Sequence, residues 1–162
     1  MRLALFEPDI PQNTGTILRL AACLGLGVDI IEPCGFAFSD RRLKRAGMDY
    51  IDRVSLIRHD SWADFETDKG DTRLILLTTK ADLNYCEFDF TGTDTLLLGR
   101  ESAGVPAQVH VVADARLTIP MSPDLRSLNI ATAAAMVLGE ALRQTGGFST
   151  GYEKMAATGI PR

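Results

Sequence analysis

The chain has 162 residues, enough for one domain whose core folds without metals or disulfides and too few for an ordinary two-domain enzyme. Hydrophobic residues at 46% and charged residues at 23% exclude a disordered or fibrous protein. A net charge of −4, taken alone, argues against a nucleic-acid partner.

Residues 1–9 carry an apolar run too short for a signal-peptide core, and no stretch approaches the length of a membrane span. Residues 3–6 and 28–31 read as strands, and residues 15–24 between them as a helix with Ile17, Leu18, Ala21 and Leu24 at helical spacing. Asn13 or Thr14 is expected to cap that helix. Further strands are predicted over 54–57, 74–78, 95–98 and 115–119, and helices near 40–46 and 61–66. The strongest helix spans 128–144, with Ile130, Ala134, Val137, Leu138 and Ala141 as its apolar face, Ser127 as its cap and Gly146-Gly147 as its stop. Strands alternating with helices predict an α/β single domain with a mostly parallel sheet flanked by helices. Periodicity is lost from Gly147 onward, so residues 1–146 form the expected domain and 147–162 a mobile tail.

Cys23, Cys34 and Cys86 are odd in number and lack CxxC spacing, which disfavours a disulfide framework or a zinc site and points to the reducing cytoplasm. His59 and His110 have no ligand partner at metal spacing, so no metal is expected. The charge is uneven: residues 59–101 hold ten acidic and four basic residues, whereas 41–45 hold four cations in five positions. That cluster is either a solvated helix face or a surface for an anionic partner.

Four segments offer the turn and polar residues that a site at the carboxyl ends of parallel strands draws upon. They are residues 7–15 leading to Arg19, residues 77–80, residues 98–106 and residues 119–129. Gly99 and Gly104 allow a close backbone approach or a tight turn, and composition favours the turn. Gly25-Leu26-Gly27 lacks the third glycine of a dinucleotide fingerprint, no GxxxxGK[ST] is present, and neither histidine falls in the four segments. Dehydrogenase, ATPase and Ser/His/Asp hydrolase readings therefore lose ground.

Taken in order, Pro11-Gln12-Asn13-Thr14-Gly15 with Arg19, Gly99-Arg100-Glu101 with Gly104-Val105-Pro106, and Ile119-Pro120-Met121 with Ser127-Leu128-Asn129 resemble the three motifs of the SPOUT superfamily of RNA methyltransferases. The resemblance covers roughly residues 1–146 and is nearest to the bacterial subgroup of tRNA (cytidine/uridine) 2′-O-methyltransferases that modify the wobble nucleotide. Ile31-Glu32-Pro33 and Arg45-Ala46-Gly47-Met48-Asp49-Tyr50 are also similar to that subgroup. Val105 stands where the second motif usually has Leu.

The resemblance implies a C-terminal deep trefoil knot, against the general rule on knots. It also implies S-adenosylmethionine as methyl donor, no metal, a homodimer, and a ribose 2′-hydroxyl of tRNA as acceptor. Residue by residue, it places Leu77, Gly99, Ile119, Ser127 and Leu128 at the cofactor and gives Arg19 the catalytic role, with Asn13 and Glu101 positioning the ribose or Arg19. A guanidinium is effectively always protonated, so Arg19 orients a phosphate or stabilises the developing alkoxide rather than acting as a base. Arg41, Arg42, Lys44 and Arg45, with Lys80 and Arg126 nearer the site, are the expected RNA contacts. Two alternatives stay open: ribosomal RNA as substrate, and a non-catalytic nucleotide-binding regulatory module on the same scaffold.

Overall fold

The computed structural model describes residues 1–37, 53–81 and 83–148. In chain order these form β1 (Arg2–Phe6), α1 (Pro11–Leu24), β2 (Gly27–Ile31), β3 (Ser55–His59), α2 (Trp62–Asp68), β4 (Leu74–Leu77), β5 (Leu83–Asn84), β6 (Thr95–Leu98), α3 (Ala107–Val112), β7 (Ala115–Thr118) and α4 (Ile130–Thr145). The strands build one sheet in the order β3-β2-β1-β6-β4-β7-β5, with every neighbouring pair parallel.

A parallel sheet covered on both faces needs apolar side chains on both, which is why its strands read as unbroken hydrophobic runs. Leu3, Leu5, Val28, Ile30, Leu96 and Leu98 face α1 and α4, meeting Ile17, Leu18, Ala134, Val137 and Leu138. The alternate residues Ala4, Phe6, Ile31, Leu74, Leu76 and Leu97 face Phe65 of α2 and Val109 of α3. The only carboxylate well inside β2, Asp29, accepts Arg2 Nε at 2.6 Å and lies 2.9 Å from His59 Nε2. Burial of that charge is therefore compensated by a paired cation.

Two ties fix the chain around the amino ends of the sheet. Asp94, fully buried, receives Arg73 Nε at 2.8 Å, Arg73 Nη2 at 2.9 Å and the Thr91 backbone N–H at 2.8 Å. Gln144, near the end of α4, donates to the Phe88 carbonyl at 3.0 Å and accepts from Phe90 N at 3.0 Å. Its side-chain amide thus serves residues 88–90 as a strand neighbour would, anchoring the last helix to a segment that has no other sheet partner there.

Several element boundaries differ from the sequence expectation. The first helix begins at Pro11, one turn earlier than predicted, because proline lacks only an N–H that the first turn leaves unpaired anyway. Neither Asn13 nor Thr14 caps it: Ile10 is the N-cap without a side-chain bond, and the Thr14 hydroxyl donates back to the Ile10 carbonyl. The last helix starts at Ile130 and is capped by Asn129, not Ser127, through Asn129 Oδ1 accepting Ala131 N at 2.9 Å and Thr132 N at 3.3 Å. Gly146 ends it with φ of 62°, a left-handed turn suited to glycine. The short helix α3 was not foreseen, since its Val-rich sequence favours strand by propensity. The two-residue β5 and the single 3-10 turn Tyr85–Glu87 are too short for periodicity to register. The predicted helix over 40–46 and most of the predicted tail lie outside the described residues. Among the described residues, no helix is long and apolar enough to cross a membrane.

Candidate functional site

The strand order reverses its direction of growth between β1 and β6: β2 and β3 extend the sheet one way, and β4, β7 and β5 the other. The connection from β1 runs to α1 on one face, whereas that from β6 runs to α3 on the opposite face. Such a point opens a crevice outside the carboxyl ends of the strands. A cleft of about 560 Å³ lies there, within the range of small-molecule sites. Its walls are residues 76–80 from the end of β4 onward, 98–105 from the end of β6 onward, 117–119 with Met121 from the end of β7 onward, and 126–130 entering α4. Ile10 and Asn13 close it from the start of α1, and His110 from α3.

The loop after β6 is held by its own backbone. Arg100 N donates to the Gly104 carbonyl at 3.0 Å and Gly104 N to the Arg100 carbonyl at 2.7 Å, with Gly104 at φ 71°. This closure lays Gly104 against Gly99, so both glycines serve the tight turn, as composition favoured.

The turn aims Glu101 at the loop after β1. Glu101 Oε2 accepts Asp9 N at 3.0 Å and Oε1 accepts Asn13 Nδ2 at 3.1 Å. Asn13 Oδ1 in turn accepts Asn129 Nδ2 at 2.9 Å. One chain of hydrogen bonds therefore joins the first, second and third motif segments. Burial pushes the Glu101 carboxyl above its ordinary value of 4.5, and its hydrogen bond with Asp9 adds to that. The same bond, with Ser102 and Arg100 assisting against desolvation, holds Asp9 below its ordinary 3.8. Within this pair Asp9 is thus the carboxylate and Glu101 the later group to lose its proton. Arg100 reaches back with Nη1 to Glu7 Oε2 at 3.3 Å and lies 3.5 Å from Asp9 Oδ2. Glu7 itself sits at φ 44°, a left-handed conformation that is uncommon for a non-glycine residue.

Among the residues singled out from sequence, Leu77, Gly99, Ile119, Ser127 and Leu128 all line this one cleft, as do Asn13, Glu101, Lys80 and Arg126. Arg19 does not line it. It is exposed on α1, on the stripe of Gln12, Thr16 and Cys23 that faces away from the sheet. Arg41, Arg42, Lys44 and Arg45 lie outside the described residues. Sequence reasoning missed Asn129 as a partner of Asn13, because a contact across 116 positions leaves no local signal. It also left His110 aside, since the helix that carries this residue to the cleft wall was not foreseen. Among the described residues, no group of three or more His, Cys, Asp or Glu side chains is arranged to hold a metal ion.

Comparison with known proteins gives concordant matches. Residues 1–139 match the model of the SpoU rRNA Methylase family. A tRNA (cytidine(34)-2′-O)-methyltransferase of Beijerinckia indica is 61% identical over 146 residues, covering 89% of this chain and 91% of that one. A solved structure described as giving insight into the 2-OH methylation of C/U34 on tRNA superimposes with a TM-score of 0.84 at 40% identity, over 88% of this chain and 94% of the other. An AdoMet-bound rRNA methyltransferase from Sinorhizobium meliloti superimposes with a TM-score of 0.79 at 28% identity, over 88% of this chain and 55% of that longer one.

Proposed function

The chain belongs to the SpoU rRNA methylase family, and from this membership we propose that it transfers a methyl group from S-adenosylmethionine to the ribose 2′-hydroxyl of the wobble cytidine or uridine of tRNA. The observation that carries this reading is the convergence of the three motif loops on one cleft, in a chain 61% identical to a protein named for that reaction. The residues present suit a nucleoside sulfonium. Leu77, Ile119 and Leu128 offer an apolar slot for an adenine, Gly99 lets backbone approach it, and Ser127 adds a polar edge.

The bound donor would supply an already activated methyl group. The protein's part is then to align the attacking oxygen with it and to manage the hydroxyl proton. Asn13 and Glu101, hydrogen-bonded to one another beside the slot, would hold the ribose. Lys80 and Arg126 on the rim would meet the flanking phosphates, with Arg41, Arg42, Lys44 and Arg45 extending that contact.

Arg19 takes its place in this reading through a homodimer. Its exposed stripe on α1 adjoins α4, whose Ala135 and Met136 are exposed, Met136 at 40%. A second copy packed on that face would bring Arg19 of one subunit to the cleft of the other. The return of α4 from β7, near one edge of the sheet, to α1 supports threading of the C-terminal segment as a trefoil knot. Residues 1–146 form the methyltransferase domain, 147–162 the tail, and the enzyme works in the cytoplasm.

The test is methyl transfer from labelled S-adenosylmethionine to total tRNA, with the modified nucleotide mapped. Label on the 2′-oxygen of nucleotide 34, lost in Arg19→Ala while cofactor still binds, is the expected result. Label confined to ribosomal RNA, or no binding of S-adenosylmethionine or its demethylated product, overturns the reading.

A further inference from the structure

The hydrogen bonds at the cleft fix more than distance: they fix which way each side chain points. Asn129 Oδ1 accepts two backbone N–H groups at the start of α4, so the oxygen end of that amide is committed and only Nδ2 remains to face Asn13. Asn13 must then present Oδ1 to Asn129 and Nδ2 to Glu101. Glu101 consequently meets a donor at each oxygen, Asn13 Nδ2 at one and Asp9 N at the other, and both bonds favour a carboxylate over a carboxylic acid. The orientation originates in the helix backbone and is transmitted through two amides.

We propose that Asn129 is a positioning residue which, through Asn13, holds Glu101 as the acceptor of the ribose 2′-hydroxyl proton. This rests on the methyltransferase reading above. In the step, the 2′-oxygen forms a bond to the methyl carbon as the carbon–sulfur bond breaks. The sulfonium becomes a neutral thioether, the hydroxyl proton passes to Glu101, and water later removes it. Burial of Glu101 beside Asp9 brings its proton affinity closer to neutrality than that of a free glutamate, which suits a general base. The charges that face it are Asp9 from the loop after β1 and Arg100 on its own loop, with Glu7 behind Arg100. Lys80, Arg126 and the imidazole of His110 border the same cleft.

Aspartate at position 129 separates this role from simple capping. A carboxylate accepts the Ala131 and Thr132 N–H groups as well as an amide does, yet it has no hydrogen to give Asn13. The Asn13 amide then turns its Nδ2 to residue 129 and its oxygen to Glu101, and the ionised form of Glu101 loses a donor. In Asn129→Asp, carbon-detected NMR titration of Glu101 in the cofactor-free protein should move upward by about one pH unit. The low-pH limb of the kcat profile should move with it. On that acidic limb, below both titration points, kcat should fall roughly tenfold, with the difference closing as the pH rises above them, while S-adenosylhomocysteine affinity and melting temperature stay near wild type. Asn129→Gly, which a helix start tolerates and which offers Asn13 neither a donor nor a new charge, should shift the titration in the same direction and substitutes if the aspartate variant fails to fold. Wild-type Glu101 titrating at or below 4.5, or both variants keeping the wild-type titration and pH–rate profile, overturns the proposal. A wild-type protein that methylates no RNA overturns the reading beneath it instead.

Discussion

A Cβ added at Gly99 would lie 2.7 Å from the carbonyl carbon of Gly104 and 2.9 Å from its Cα. The obstacle is backbone, tied by the reciprocal Arg100–Gly104 hydrogen bonds, and cannot rotate away as a side chain could. Gly99→Ala should therefore distort the loop that carries Glu101 and faces the cleft. We expect a loss of about 1–3 kcal/mol in stability, the usual cost of forcing extra volume into a packed site. Cofactor affinity should fall by tenfold or more. Calorimetric titration with S-adenosylhomocysteine beside a urea melt measures both, and wild-type affinity in the variant would contradict the close-packed turn.

Asp94 and Arg73 supply the prediction on pH. Burial alone would raise the Asp94 carboxyl, but the hydrogen bonds from Arg73 and Thr91 outweigh it and hold the group below its ordinary 3.8. A folded-state value below the unfolded one means that the unfolded chain binds the proton more readily. The stabilisation is complete above the unfolded value and is lost as pH falls through the folded one. Asp94→Ala should cost about 2–3 kcal/mol at pH 7, less than a wholly buried pair, because the Arg73 side chain is 41% exposed and can rehydrate. The gap between variant and wild type should narrow as the pH drops below 3.8. Urea melts at stepped pH check it, and a gap that widens toward acid would refute the assignment.

The parallel α/β core was legible because burial on both sheet faces forces continuous apolar runs such as Leu74 to Leu77, which single-sequence patterning detects well. The site loops were legible for a related reason: Gly99, Pro11 and Pro120 punctuate strand ends, and strand ends are where a parallel sheet places its site. What patterning could not supply was the partner of each polar side chain. Asn13 was read as a cap because capping is local, whereas its amide is engaged by Glu101 and Asn129 from distant segments. Arg19 stayed near Asn13 in sequence, yet six positions along a helix set it about 120° round the axis and about 9 Å further on, so its separation from the cleft emerged only from the fold.

Lys80 and Arg126 border the cleft and are exposed, as a contact to phosphate requires. A cation seated on a phosphate releases counterions, and its removal flattens the salt dependence of binding. Lys80→Ala and Arg126→Ala should each weaken tRNA binding and reduce the slope of log affinity against log salt by about 1. Arg41→Ala with Arg42→Ala should reduce it further. Filter binding from low to moderate salt provides the slopes, and an unchanged slope would return that residue to the role of a solvated surface charge.

The separation of Arg19 from the cleft of its own chain yields a test of the dimer that needs no structure of the complex. If Arg19 of one subunit serves the cleft of the other, Arg19→Ala and Glu101→Gln damage the same composite site from different chains. Each variant alone is inactive. After the two are mixed and allowed to exchange subunits, half of the dimers are hybrids. One of the two sites in every hybrid then combines an intact Arg19 with an intact Glu101. Methyl transfer should recover to about a quarter of the wild-type rate per subunit. A mixture as inactive as its components, with exchange verified by mass, would place both residues in one chain's site. Recovery would show that the exposed stripe Gln12, Thr16, Arg19 and Cys23 of α1 is an interface and that one copy of this chain is half of a catalytic unit.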